Sequence, residues 1–121
     1  MRTLLAKRTV GLALILHGLA HVALGTAVQD ARQGIELVVG TVLFAIATPG
    51  FVAAGFGAWN VAGLRHVWGG LVKLGVLASL LLVVISAPSA SRSIAAVLGD
   101  VLLLAFSDIL TAPAEPRRVT T

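Results

Sequence analysis

The sequence predicts an all-α integral membrane protein, one domain built as a four-helix transmembrane bundle with both termini in the cytoplasm. Three observations carry that expectation. Hydrophobic residues make up 58% of the 121 residues and charged residues 12%, where a soluble domain carries roughly 25% charged, and the mean hydropathy is +1.01. The apolar residues gather into four successive runs, each near the ~20 residues that a helix needs to cross the hydrocarbon core. Basic residues are spread unevenly over the connections between those runs. A chain this short keeps too much of its surface exposed to hide so much apolar area from water, which argues against a soluble enzyme.

The first run covers Val10 to Val28 and follows the basic residues Lys7 and Arg8. Met1 to Gly25 also has the outline of a signal peptide, but His17 and His21 inside its apolar region argue against that reading. Gln29 to Gly34 is a polar break. The second run, Ile35 to Ala58, contains Thr48-Pro49-Gly50. A mid-helix proline removes a backbone hydrogen bond and kinks the helix, making a hinge, a pocket wall or simply a tolerated bend. Trp59 to His66 separates it from the third run, Val67 to Ala87, and Pro88 to Ser93 precedes the fourth, Ile94 to Ala112. Pro88 and Pro113 stop helices. The polar tail from Ala114 to Thr121 is expected to be disordered.

Connections this short place consecutive helices side by side and antiparallel. No run alternates polar and apolar residues as a barrel strand would. Arg2, Lys7, Arg8, Arg65, Arg117 and Arg118 fall on one side of the membrane and Arg32 and Arg92 on the other, which places the termini inside. The net charge of +4 therefore reads as a topology signal of a multi-pass membrane protein, with the lipid bilayer as its first partner and no nucleic acid. Trp59, Asn60 and Trp68 read as interfacial anchors. There is no cysteine, which excludes disulfides, thiolate metal sites and CxxC chemistry carried by this chain.

Ionisable groups inside a membrane span are costly and normally face the bundle interior, a cavity or one another. Here they are His17, His21, Glu36, Lys73, Asp100 and Asp108, with His66 at a boundary. A rise of ~1.5 Å per residue puts His17 roughly 13 Å and His21 roughly 19 Å from the cytoplasmic edge. The same count puts Lys73 at about 10–12 Å, Asp100 at about 18–20 Å and Asp108 at about 6 Å. It predicts an outer layer of His21 and Asp100 beneath Glu36, and an inner layer of His17 and Lys73 above Asp108 and His66. Lys73 and Asp108 are expected to form a structural ion pair. Gly11, Gly18 and Gly25 share an arc of the first helix with the two histidines, which marks a closely packed face.

His17 and His21 form an HxxxH pair whose i,i+4 spacing suits a metal ion, a proton relay or an acid/base pair. Spacing supplies no third ligand, so no metal is expected and no cofactor is specified. Asp100 beside His21 is the leading acid/base candidate, with His17 and Glu36 as further catalytic candidates. A packing hydrogen bond is the plainer reading of the same residues. No P-loop, nucleophile elbow or HExxH motif is present.

Leu16-His17-Gly18-Leu19-Ala20-His21 followed by Gly34-Ile35-Glu36-Leu37-Val38-Val39-Gly40 resembles the DoxX-like membrane proteins, over about residues 10 to 45. The resemblance implies a small four-helix inner-membrane protein, often an accessory of a quinone-linked oxidoreductase or of oxidant defence. Small multidrug transporters share the length, but they carry a glutamate in the first helix where this chain has His17.

Three functions fit this reading. The first is a binding or accessory subunit whose inward polar groups line a pocket for a small apolar ligand, lipid-like or quinone-like. The second is a membrane enzyme using His21 and Asp100 on an apolar substrate, in epoxide opening, isomerisation or cyclisation. The third is a dimeric proton-coupled transporter. A homo-oligomer or a membrane partner chain is expected in each case.

Overall fold

The computed structural model describes residues 2–29, 34–86 and 90–111. They form four α-helices, α1 (Arg2–Gln29), α2 (Ile35–Ala58), α3 (Trp68–Ser86) and α4 (Ala90–Thr111), with no strand among the described residues. Ala87, Ala112, the breaks at 30–33 and 87–89 and the polar tail at 114–121 lie outside the described residues. In lipid every backbone amide must be satisfied within the chain, and a helix does this segment by segment. By length and composition α2, α3 and α4 are each apolar and long enough to cross a membrane. With α1 packed alongside them, the chain is a multi-pass membrane protein.

The α1 helix starts about two turns before its apolar run, because Lys7 and Arg8 are good helix formers and nothing breaks the backbone ladder there. Trp59 holds this extension: its indole N–H donates to the Arg8 carbonyl at 2.9 Å. The α2–α3 connection is a tight turn in which Asn60 (φ 63°) and Gly63 (φ 85°) take left-handed conformations, the kind asparagine and glycine tolerate. Helix α2 runs unbroken through Pro49, whose exposed ring faces away from the packed side on which Gly50 is buried.

The helices form an up-and-down ring. Helix α1 packs closely on α2 and α2 on α3, while α4 leans mainly on α3 and meets α1 sparsely. Glycines set the close contacts. Gly55 lies against the Gly11 carbonyl and Ile15, Gly18 against the Thr48 carbonyl and Phe51, and Gly57 against Trp68. Phe51, Leu14 and Val72 fill the centre with no exposure. Trp68, expected at the interface, is only 4% exposed and belongs to this core, since Gly57 leaves room for its side chain. On the outside, Leu5, Ile35, Val84 and Ile109 are 69–76% exposed, as side chains facing lipid should be.

Candidate functional site

All four helices contribute to one polar cluster. Helix α1 supplies His17 and His21, one turn apart on the same face. From α4, Asp100 is completely buried and lies 2.8 Å from His17, whose Nε2–H donates to the carboxylate oxygen Oδ1. Gly99 makes this approach possible, because a side chain there would begin 3.1 Å from the His17 ring. From α3, the buried Ser79 hydroxyl shares a long hydrogen bond of 3.3 Å with His21 Nε2. From α2, the Phe51 ring stands edge-on to His17 (4.8 Å between centroids) and stacks on His21 (5.8 Å). The two imidazoles are 5.1 Å apart and nearly perpendicular.

The cluster is only partly satisfied. The second carboxylate oxygen of Asp100, Oδ2, is buried without a hydrogen-bond partner. Leaving a buried polar atom unpaired costs about 1–3 kcal/mol. The His17 side chain keeps 21% of its surface exposed while Asp100 keeps none, so the imidazole stands between the buried acid and the outside of the bundle. One donor atom each from His17, His21 and Asp100 lie within 4.8 Å of one another.

The predicted layers are rearranged. Asp100 bonds directly to His17 rather than to His21, and His21 turns instead to Ser79. Counting residues from the end of each apolar run treats the helices as parallel and level. Packed helices cross at about 20–50°, and along the α1/α4 seam the count is out by about one helical turn. Lys73 and Asp108 do stand 3.3 Å apart, with side chains 62% and 53% exposed. They lie on the surface of the bundle, not inward with the histidines. Glu36 is exposed in the first turn of α2 and stays outside the cluster. His66 is exposed and accepts from the Arg65 side chain at 2.7 Å.

Ser79 and Phe51 were not evident as site residues. Ser79 had a signal: a serine in an apolar run, ~9 Å further along the third helix than Lys73 and so level with His21. Phe51 had none, since an aromatic residue in a membrane span ordinarily packs. Two surface clefts lie elsewhere. One of about 450 Å³ is lined by Lys7, Arg65, His66 and Lys73 with Trp68 and Thr111, and one of about 530 Å³ lies beside Arg8 and Trp59.

Fold and cluster together define a class: a four-helix, multi-pass membrane protein with a buried His–Asp pair joining its first and last helices. Beyond that class, comparison with family models, curated proteins and solved structures finds no match.

Proposed function

We propose that this chain is a small inner-membrane protein, with both termini in the cytoplasm, that binds the polar head of a lipid-like or quinone-like molecule at His17, His21 and Asp100. It acts as a binding or accessory subunit. The observation that carries this reading is the 2.8 Å bond between a fully buried carboxylate and an imidazole that is 21% exposed. Polar groups within a membrane bundle are expensive and mark sites of function by default, and here one member of the pair is reachable from outside. The sparse contact between α1 and α4 supports entry from the bilayer at that seam. Exposed Leu16, Leu19 and Leu98, each 52–57% exposed on those two helices, supply apolar surface for a tail. The resemblance of the first half to DoxX-like proteins points the same way.

Native mass spectrometry of protein extracted in lipid nanodiscs tests it. A small apolar molecule should be retained by the wild type and lost from His17→Leu and Asp100→Leu. A folded wild type that retains nothing, or variants that retain the molecule equally, would overturn the reading. The His17–Asp100 bond also favours a second reading, an acid/base enzyme on the same apolar molecule, because a carboxylate fixes the tautomer of the imidazole it accepts from. Asp100→Asn separates the two, since an enzyme would keep the ligand and lose turnover.

A further inference from the structure

We infer that His17, His21 and Asp100 form a binding site for one divalent first-row transition metal ion of the zinc or ferrous class. The HxxxH pair offers two ligands on one helix, and the fold supplies the third, 83 residues away from His17 in the chain. The inference goes beyond the binding of an apolar molecule and does not depend on it.

Geometry comes first. Ligands ~2.0–2.1 Å from a shared ion stand ~2.9 Å from each other at the ~90° angles of an octahedral site and ~3.3 Å at tetrahedral angles. His17 Nε2 and Asp100 Oδ1 are 2.8 Å apart, already at the spacing of neighbouring ligands. The three donor atoms span no more than 4.8 Å, and the 3.3 Å contact to Ser79 holds the His21 ring loosely enough for it to turn inward. The independent observation is Asp100 Oδ2, an oxygen of a side chain with no exposure and no partner. An ionised carboxylate in that setting is costly unless a cation compensates it. A metal ion supplies the charge and takes the His17 Nε2 position as the ring's single proton passes to Nδ1, so that the ligand stays a neutral imidazole.

The donor set selects the class of ion. Two imidazoles and one carboxylate suit zinc, ferrous iron, cobalt or nickel, whereas magnesium and calcium take oxygen ligands. Surrounding groups are of the kind that orient metal ligands: Ser79 on His21, and the Phe51 ring against both imidazoles. Three protein ligands leave at least one coordination position open, where the oxygen of a bound head group would sit.

The test uses the full chain in nanodiscs, stripped with a chelator and titrated with cobalt(II) alone, no apolar molecule being added. Wild type should take up one cobalt per chain, develop visible ligand-field absorption and release the cobalt to zinc. Asp100→Asn and His17→Gln should weaken uptake by more than the ~10–100-fold that loss of an outer partner costs, while His66→Ala should leave it unchanged. Should those variants fail to fold, His21→Cys answers the question: it keeps uptake and adds a thiolate-to-cobalt charge-transfer band. A folded wild type without uptake, uptake that survives in every ligand variant, or uptake that disappears with His66→Ala would overturn the inference. A metal-free protein that still retains an apolar molecule would overturn the metal site and leave the binding reading intact. A metal-loaded protein that retains none would do the reverse.

Discussion

Asp100 carries the most demanding chemistry of any single residue here, because its carboxylate is wholly buried with one oxygen bonded to His17 and the other unpaired. In membrane proteins an interhelical hydrogen bond is worth about 0.6 kcal/mol on average and up to about 1.7 kcal/mol, since the unfolded chain in lipid also finds partners. The 2.8 Å charge-assisted geometry belongs at the upper end of that range. Removing one partner does more harm than removing both. Asp100→Leu alone leaves the His17 ring with an unmatched donor, and His17→Phe alone leaves the carboxylate bare, whereas the pair of changes leaves neither. A double-mutant cycle on unfolding in mixed micelles should therefore give a coupling of about 1–1.7 kcal/mol between the two positions. A coupling near zero would mean that the two side chains do not hold α1 to α4. Ser79, with its 3.3 Å contact, belongs at the low end of the same scale.

The helices are held by glycine contacts as much as by this bond, and the glycines are not equivalent. A side chain built at Gly55 would begin 2.6 Å from the Gly11 carbonyl and from Ile15, whereas at Gly70 nothing lies within 4 Å. Gly55→Ala must push α1 off α2 and should cost about 1–3 kcal/mol, the usual penalty of overpacking. Gly70→Ala meets no obstacle and should be neutral or stabilising by up to ~1 kcal/mol through helix propensity. Thermal unfolding of the two variants side by side checks this, and equal melting temperatures would remove the close α1–α2 approach. The contrast also shows what was legible in the sequence. The apolar run from Ile35 to Ala58 has the bounds of α2 itself, because hydropathy and flanking polar residues act locally. The glycine face of α1 was equally visible, and Gly11 and Gly18 do pack on α2. Which residue meets which across a seam depends on the crossing of two helices, a non-local property. Hence His17, not His21, receives Asp100, and Trp68 turns into the core. Lys73 and Asp108 lie within reach of each other all the same, because a long lysine side chain tolerates an error of one turn.

At the scale of the whole molecule, an up-and-down ring of four helices puts the start of α1, the end of α4 and the α2–α3 turn at one end of the bundle, and the end of α1 and the start of α2 at the other. The first end holds Lys7, Arg65, His66 and Lys73 around one cleft, with Asp108 beside Lys73 as a partial counter-charge. Basic residues are retained on the cytoplasmic side as a chain inserts, so the proposed orientation puts this end inside the cell. The absence of native cysteine makes the placement simple to test, because a single introduced thiol is the only one present. Val61, 43% exposed in the α2–α3 turn, and Ile35, 74% exposed at the start of α2, sit at opposite ends. With a membrane-impermeant maleimide, Ile35→Cys should be labelled in intact cells and Val61→Cys only after the membrane is opened. The reverse pattern would place the basic cleft and both termini outside. Labelling of both in intact cells would mean that the helices do not separate two aqueous compartments.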